Sequence, residues 1–369
     1  MTGTPSVDGT ASSQEHPERI PDDVPRGSRA TLRDVARVAG VTPSTVSRAL
    51  DPSKRDLVNE ATRARIRAVV EELDYRPNLG ARNLRRGRTM TVGVVVPDLA
   101  NPIFAPFTRG IAHALEPSGH LPLLADTQDD HDRLLAVLER FVERRVVAIV
   151  VAAGRETDAA ALMDVNSRGI PVISAIRCPP GVEGVTTVRH ADADGVALAV
   201  QHLHDLGHRR VAQVRGPLDI EPFPTRAAAF DAAIQKLGLI SVREAPPTEE
   251  IALADARRAA DELLRGDDDS RPTAIFVPND TMSLGALDAI RNAGLRCPED
   301  VSVVSYNDVF FAPYVNPPLT AVHLPVYEIG QICGELAMRP ASERRGTVER
   351  GSPPPVLKVR GSTAPVSEG

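Results

Sequence analysis

The sequence predicts a small all-α domain at its N-terminal end, followed by a larger two-lobed α/β domain built on parallel sheets. Two observations lead to this prediction. Short helical patterns occupy residues 30–75, whereas from residue 91 onward short runs rich in Val and Ile alternate with amphipathic helical segments. Short, continuous apolar runs are typical of strands buried on both faces, as in parallel sheets covered by helices.

The domain boundaries follow changes in composition. A length of 369 residues exceeds one ordinary domain. Residues 1–28 are rich in Ser, Thr, Pro, Gly and Asp, which is typical of a disordered tail. We assign residues 29–76 to the all-α domain, residues 77–90 to a connecting segment and residues 91–369 to the α/β domain.

The α/β domain contains more strand candidates than one small sheet holds, which favours two similar lobes. The runs interpreted as strands are Val92–Val96, Leu121–Leu124, Val146–Val151, Val172–Ile176, Val185–Val188, Val211–Val214, Ala274–Val277, Val301–Ser305 and Val356–Val359. Amphipathic helical patterns separate most of these runs, as expected for parallel strands joined by crossover helices.

The net charge of −6 by itself argues against a protein that binds nucleic acid, but its distribution points the other way. Residues 29–88 contain 14 Lys and Arg against 7 Asp and Glu, so this segment is net positive and the rest of the chain is net negative. A basic segment on an acidic chain is expected where one module contacts phosphate. A solvated basic surface would have the same composition.

Cysteine spacing and the N-terminal segment bear on the cellular compartment. Cys178, Cys297 and Cys333 lie far apart and form no CxxC pair, so the sequence suggests neither a disulfide framework nor a zinc site. Residues 1–28 lack the apolar core of a secretory signal, and no apolar run reaches the roughly 18–20 residues of a membrane span. We expect a cytoplasmic protein without a membrane partner.

Residues 31–43 carry the start and stop signals of two short helices. Thr31 followed by Asp34 is a capping box that starts the first helix. Gly40 suits the tight turn that ends this helix. Thr42 is the expected N-cap of the second helix, and Pro43 takes its first position, where a missing N–H costs nothing.

The second helix is predicted to bury one face and expose the other. Val46, Ala49 and Leu50 recur at i, i+3 and i+4, whereas the Ser, Thr and Arg side chains face outward. Asn59 is the expected N-cap of a third helix, whose apolar stripe from Ile66 to Leu73 closes a small core. Two short helices joined by a Gly-containing turn form a helix-turn-helix, whose second helix fits the DNA major groove.

The stretch from Thr31 to Arg48, TLRDVARVAGVTPSTVSR, resembles the DNA-binding head of the lactose-repressor (LacI/GalR-type) family. Tyr75-Arg-Pro-Asn78, followed by Ala81 and Leu84, resembles the hinge of that family, and a weaker similarity continues to the C-terminal end. The resemblance implies a homodimeric, nucleoid-associated repressor that binds double-stranded operator DNA. It also implies a small-molecule effector, a sugar or sugar derivative, with no cofactor and no catalytic activity.

The resemblance assigns three kinds of DNA contact. Base edges are expected to face Pro43, Ser44 and Arg48. Contacts to phosphate or sugar are expected from Thr31, Arg33, Thr42, Thr45, Ser47 and Asn78. A hinge helix is expected over residues 78–85, including Ala81, with Leu84 inserted as a wedge between minor-groove base steps. Packing of Leu84 on the neighbouring lobe is the alternative.

The resemblance also implies a periplasmic-binding-protein-like domain from residue 91 onward. Its first lobe is expected at about residues 91–188 and 323–346, and its second lobe at about residues 189–322 and 347–369. The helix that carries Phe107, Ile111 and Leu115 on one stripe is expected to help form the dimer interface.

The effector is expected in the cleft between the two lobes. The residues implied to contact it are Ile103, Phe104, Arg226, Asn279 and Asn307. Asp280 is expected to be structural, as an N-cap. A core position for Phe104 and a surface salt bridge for Arg226 are the alternatives.

Three positions depart from the family pattern. Ile176 stands where the family often has an Asp, and Asn307 stands where the family usually has an effector-binding Asp. Ser305 replaces the Gly that usually precedes that second Asp. Carboxylates accept paired hydrogen bonds from sugar diols, whereas Ile accepts none and an amide accepts fewer. Either the effector is not an ordinary sugar, or it is bound differently.

Signals for other functions are weak. The sequence contains no phosphate-binding loop, no dinucleotide fingerprint after a strand and no HExxH motif, so we predict no enzyme. His202, His204 and His208 do not share one helical face, so we predict no metal site and expect His208 to cap or pack the turn at Gly207. A solute-binding receptor without DNA function is the alternative for the whole chain.

Overall fold

The computed structural model describes residues 30–51, 54–76, 89–266, 270–340, 343, 348–349 and 353–366. The chain divides into two compact units. We call the described residues up to 76 the head and those from 89 onward the body. The predicted disordered tail and all but the last two residues of the predicted hinge segment lie outside the described residues. In the described parts, no helix is long and apolar enough to cross a membrane.

The head consists of three α-helices and one short 3-10 turn. The helices are α1 Leu32–Val38, α2 Pro43–Ala49 and α3 Glu60–Glu72, and the 3-10 turn is Arg55–Leu57. They pack around a core of Val35, Ala36, Ala39, Val46, Ile66, Val69 and Tyr75. This is the helix-turn-helix that the sequence predicts.

All three predicted N-caps of the head are confirmed. The Thr31 hydroxyl accepts a bond from the Asp34 N–H, and the Asp34 carboxylate accepts one from the Thr31 N–H, which completes the capping box. The Thr42 side chain accepts a bond from the Thr45 N–H. The Asn59 side chain accepts one from the Thr62 N–H. Each cap satisfies a backbone donor that the helix itself leaves open.

The first lobe of the body is a six-stranded, fully parallel sheet with the strand order β11-β5-β4-β3-β1-β2. Its strands are β1 Thr91–Val96, β2 Leu121–Asp126, β3 Ile149–Val151, β4 Val172–Ala175, β5 Thr186–Val188 and β11 Val348–Glu349. Its helices are α4 Phe104–Leu115, α5 His131–Glu143, α6 Ala159–Ser167 and α11 Val326–Met338. Short 3-10 turns lie at Glu116–Ser118 and Glu156–Asp158.

The second lobe is a six-stranded sheet with the order β12-β10-β9-β8-β6-β7. Its strands are β6 Arg210–Gln213, β7 Ile240–Ser241, β8 Ala274–Phe276, β9 Ser302–Asn307, β10 Thr320–His323 and β12 Val356–Lys358. Its helices are α7 Asp192–Asp205, α8 Phe223–Leu237, α9 Leu253–Leu263 and α10 Asp280–Asn292. The edge strand β12 pairs antiparallel with β10, whereas the other pairings of this sheet are parallel, as predicted.

The chain crosses between the lobes three times. The crossings follow β5, β10 and β11, because β11 pairs with β5 of the first lobe whereas β12 belongs to the second. The final return was expected near residue 347. It comes after Glu349 instead, since Val348–Glu349 is still part of the first sheet.

The apolar stripe of α4 is buried inside its own lobe. Phe107, Ile111 and Leu115 are fully buried in the body core. Helix α11 packs so closely on α4 that a Cβ atom at Gly110 would lie 2.1 Å from the Tyr327 carbonyl oxygen. These three side chains pack inside the body, and the expectation that the helix helps to form a dimer interface stays a prediction for its other faces.

Candidate functional site

Helix α2 presents a polar face to solvent. Pro43, Ser44 and Arg48 are exposed, and Ser47 is partly exposed beside them. Residues 43, 44, 47 and 48 lie on one side of the helix, whereas Val46 on the opposite side is fully buried. This arrangement places small side chains and one long cation on the side of α2 that is free to meet another molecule.

The remaining predicted DNA contacts described in the head lie on α1 and α2 or at their starts. Arg33 is exposed, and the Thr31 and Thr42 hydroxyls sit at the helix starts as caps. The Thr42 hydroxyl also lies 2.9 Å from that of Thr45. The predicted contacts Asn78, Ala81 and Leu84 lie outside the described residues.

A cleft of about 320 Å³, a volume that includes space open to solvent, lies in the body. Its walls are formed by Asn101, Ile103, Phe104, Ile176, Arg177, Pro222, Phe223, Arg226, Ile251, Asn279, Asn307 and Leu324. Both lobes contribute, and the residues follow or end strands at their carboxyl ends, where ligands of open α/β sheets bind. All five predicted effector contacts line this cleft.

The structure also shows what sequence reasoning missed. Arg177, Pro222, Phe223, Ile251 and Leu324 line the cleft without having been singled out. Asn101 lies two positions before the predicted contact Ile103. For Arg177, the only available signal was its position directly after a predicted strand.

Arg226 is a buried hub, so the surface salt bridge proposed as its alternative role is wrong. It is 2% exposed, and its Nε donates to the Asp192 carboxylate at 2.8 Å. Its Nη1 donates to the Pro278 carbonyl at 2.6 Å and to the Asn307 carboxamide oxygen at 3.4 Å. Its guanidinium carbon lies 3.6 Å from the centre of the Tyr306 ring. These contacts fix the planar donor group at the cleft wall.

Asn279, and not Asp280, is the N-cap of α10. The Asn279 carboxamide oxygen accepts from the N–H groups of Thr281 and Met282 at 2.8 and 3.3 Å. Asp280 is the first residue inside the helix. Its carboxylate bonds to the Ser305 hydroxyl and accepts from the Val309 N–H at 2.8 Å. The N-cap expectation for Asp280 is therefore wrong, although the residue does hold the strand β9 end.

The pKa of Asp280 is raised to about 7, and burial is the largest cause of this rise. The hydrogen bonds from Ser305 and Val309 oppose it. Its neutral form is therefore favoured in the folded state below that pH. The pKa of Asp280 is higher in the folded than in the unfolded chain, so protonation of Asp280 stabilises the fold. This contribution to the free energy of unfolding is complete below about pH 4 and is lost as pH rises to about 7.

We expect the Asp280→Asn variant to lack this pH dependence. The difference in free energy of unfolding between the variant and the original chain should shift by roughly 2–4 kcal/mol in favour of the variant between pH 4 and pH 8. Urea unfolding of the body at a series of pH values measures this difference. Parallel pH profiles for the two proteins would contradict the assignment.

Ile176 adopts a backbone conformation that is rare for a β-branched residue, with φ at +64°. The N–H of Arg177 donates to the Ala175 carbonyl at 2.6 Å, which closes a tight turn around Ile176. The Arg177 guanidinium in turn forms an ion pair with Asp129. Burial lowers the pKa of Arg177, and Asp129 opposes this change. The turn places one apolar and one cationic side chain side by side on the cleft wall.

An ion pair joins the two lobes near the cleft. Arg155 of the first lobe donates from Nη1 to the Asp219 carboxylate of the second lobe at 2.6 Å. The Glu156 N–H donates to the Asp219 carbonyl oxygen at 3.1 Å. A lobe movement that separates Arg155 from Asp219 has to break these bonds.

His208 packs the turn at Gly207, as predicted. It is 2% exposed, with Nδ1 3.0 Å from the Thr273 hydroxyl and Nε2 3.1 Å from the Ala364 carbonyl oxygen. Burial lowers the pKa of His208 to about 4, so the ring is neutral at pH 7. His202 bonds elsewhere, to the Thr363 hydroxyl.

Two family models match the chain. "Bacterial regulatory proteins, lacI family" covers residues 31–78, and "Periplasmic binding protein-like domain" covers residues 200–363. The Escherichia coli (strain K12) ribose operon repressor is 29% identical over 333 residues, which cover 90% of this chain and 99% of the relative. The Aliivibrio fischeri transcriptional repressor PurR is 30% identical over 309 residues, which cover 84% of this chain and 91% of the relative.

A solved structure of the lac repressor dimer, bound to operator and an anti-inducer, has a similar fold. Its TM-score is 0.78 at 24% identity, and the alignment covers 91% of this chain and 100% of that one. The matched head and the two repressor relatives support a regulator and not a receptor without DNA function. The chain belongs to the lacI family of bacterial regulatory proteins, and it is a DNA-binding transcription regulator, not an enzyme.

Proposed function

We propose that the head reads operator DNA through α2, placed in the major groove. The single observation that carries this proposal is the exposed face of α2, with Pro43, Ser44 and Arg48 presented away from the core. Small residues allow close approach of the helix to the base edges, and Arg donates two hydrogen bonds to guanine. Thr31, Arg33, Thr42, Thr45 and Ser47 contact phosphate or sugar and set the register.

The segment after the head completes the DNA contacts in this proposal. Asn78 binds the backbone, Ala81 lies on the hinge helix, and Leu84 inserts between base steps in the minor groove. Residues 29–76, 77–90 and 91–369 act as reader, hinge and sensor. These assignments rest on the family to which the chain belongs.

A small-molecule effector, a sugar or sugar derivative, binds in the cleft of the body and sets operator affinity. Ile103, Phe104, Arg226, Asn279 and Asn307 contact it, because they line one cleft at the carboxyl ends of the strands. The name of the ribose operon repressor, a relative of this chain, supports a sugar-related ligand. An effector that contacts both lobes alters the angle between them and thereby strains the bond between Arg155 and Asp219. It shifts operator occupancy only by its differential affinity for the two lobe arrangements.

The protein acts as a homodimer in the cytoplasm, associated with the nucleoid. Two heads bind the two halves of a nearly palindromic site, so the symmetry of the DNA mirrors that of the dimer. The lac repressor structure of similar fold is described as a dimer bound to operator, which supports this assembly.

Selection from random duplex DNA tests the proposal. The full chain is incubated with a library of double-stranded oligonucleotides, and bound sequences are recovered and read. We expect enrichment of a nearly palindromic sequence whose half-sites lie about one helical turn apart. Recovery of duplexes without any shared sequence would contradict a sequence-specific regulator.

We expect Arg48→Ala to weaken binding to the selected duplex by about 1–3 kcal/mol and to relax one base position in each half-site. Fluorescence anisotropy on single-base variants of the duplex measures both effects. Arg67→Ala, at an exposed position on α3, is the matched control and should weaken all duplexes equally. If Arg48→Ala behaved like this control, Arg48 would contact phosphate and not a base.

A further inference from the structure

Three asparagines line the cleft, and the protein itself occupies the carboxamide oxygen of each. The Asn279 oxygen accepts from two backbone N–H groups of α10. The Asn307 oxygen accepts from Nη1 of Arg226 at 3.4 Å. The Asn101 oxygen accepts from the Ile103 N–H at 3.3 Å. Asn279 and Asn307 are only 4% and 5% exposed, so these orientations are enforced inside the wall.

The partners leave no choice in the orientation of these amides. Backbone N–H and guanidinium groups only donate hydrogen bonds, so each of them must face an oxygen and not an NH₂ group. The NH₂ group of each asparagine therefore remains available to a ligand. The Asn279 oxygen has both lone pairs engaged, whereas the Asn101 and Asn307 oxygens each keep one. Rotating any of the three amides would set donor against donor and leave buried groups without partners.

The other polar side chains of the cleft wall are Arg177 and Arg226, which also only donate. Their carboxylate partners, Asp129 and Asp192, take up part of each guanidinium but do not line the cleft. Nη2 of Arg226 bonds to no acceptor in the described parts of the chain. Among the described residues, no carboxylate or hydroxyl side chain forms the cleft wall.

The rest of the wall is apolar. Ile103, Phe104, Phe223 and Leu324 line it together with Ile176, whose strained conformation keeps a branched aliphatic side chain at the cleft. Such strain persists only where the surrounding structure enforces it, and it clusters at ligand sites. The cleft thus combines an apolar surface with a set of hydrogen-bond donors.

We infer that the effector carries an acceptor-only oxyanion, a carboxylate or a phosphate, which the Asn101, Asn279, Asn307 and Arg226 donors bind, and a less polar part that packs on the aliphatic and aromatic wall. This inference rests on the proposal that the cleft is the effector site. The class is that of sugar acids, sugar phosphates and related small organic acids.

A neutral polyol fits this wall poorly. Each hydroxyl both donates and accepts, and the side chains of the wall offer its donated hydrogen bond only the second lone pairs of the Asn101 and Asn307 oxygens, against a larger number of donors. A buried donor without an acceptor forfeits affinity. An oxyanion has no hydrogen to donate, and its bonds to guanidinium and amide donors are charge-assisted.

Matched pairs of ligands test the inference on the full chain. Titration calorimetry compares gluconate with glucose, and ribose 5-phosphate with ribose, within a wider set of small acids and phosphates and their neutral counterparts. We expect the acid or phosphate of a binding pair to bind at least about tenfold more tightly than its neutral partner. Equal affinities, tighter binding of the neutral partner, or no binding by any acid or phosphate would overturn the inference. Duplex binding by the same sample shows separately whether the DNA-reading proposal holds.

Asn307→Asp replaces the free donor with an acceptor at nearly constant shape. We expect this variant to lose at least about 100-fold in affinity for the acid or phosphate and to gain affinity for the neutral partner. Asn101→Asp, at a partly exposed position, should change the two affinities in the same directions by a smaller factor. This variant tests the inference if Asn307→Asp does not fold. Gln235→Glu, an exposed amide-to-acid change on α8, is the control and should leave both affinities unchanged. If the two cleft variants kept the original preference, the donor set would not select the ligand.

Discussion

The Val46→Asp variant is expected to lose operator binding by more than about 1,000-fold while the body still binds ligand and unfolds at an unchanged temperature. Val46 is fully buried among Val35, Ala36 and Ile66, in the core shared by all three head helices. A carboxylate placed there has no partner, and burying it costs more than a small domain can supply. A head of fewer than 50 described residues is only marginally stable to begin with.

Gel-shift titration on the selected duplex measures the loss, and calorimetric unfolding of the same samples reports the body. Ala61→Asp is the matched control, because it adds the same charge at an exposed position in the first turn of α3, where an acid is favourable. That control should retain specific binding with a small, uniform weakening. Retained operator binding by Val46→Asp would show that the packed head is not the reader.

The second large effect is expected from Asp192→Ala, which leaves the Arg226 guanidinium buried without its carboxylate. The side chains of Arg226 and Asp192 are 3% and 11% exposed, and water therefore cannot replace the lost partner. Removing one partner of a buried ion pair destabilises a protein by about 3–5 kcal/mol. We expect a loss of this size in the free energy of unfolding of the body, measured in urea.

A double variant separates stability from ligand binding. Asp192→Leu combined with Arg226→Met removes both charges, and such replacements are often neutral or stabilising. We expect the double variant to regain most of the lost stability but to remain unable to bind the effector, because the Arg226 donor is gone. Asp205→Ala, on the exposed side of the same helix, is the control. Recovered ligand binding in the double variant would show that Arg226 acts only in folding.

Features encoded by neighbouring residues could be predicted from the sequence. The caps at Thr31, Thr42 and Asn59 depend on residues three positions apart, and all three are confirmed. Long buried runs such as the one that forms β1 are recognisable because both faces of the strand are apolar. Very short strands gave no such signal, and β7 and β11 contain two residues each.

Features encoded by distant residues could not be predicted. Arg226 and Asp192 are 34 positions apart, and Arg177 and Asp129 are 48 apart, so neither pair forms a pattern along the chain. The edge strand β2 was expected to be buried, yet Leu121 is 67% exposed, because an apolar run does not reveal which strand lies at an edge. Asn279, and not the expected Asp280, is the N-cap of α10, and the Asp280 side chain bonds instead to Ser305 on strand β9.

Comparing two duplexes tests most directly whether this chain reads DNA through α2. The affinity of the full chain is measured by fluorescence anisotropy for the selected duplex and for a shuffled duplex of equal length, at the same salt concentration. We predict that the chain binds the selected duplex at least about 1,000-fold more tightly than the shuffled one. In the Arg48→Ala variant, we predict that the preference for one base at the contacted position is mostly lost. Equal affinity for the two duplexes, changing only with salt, would contradict the account.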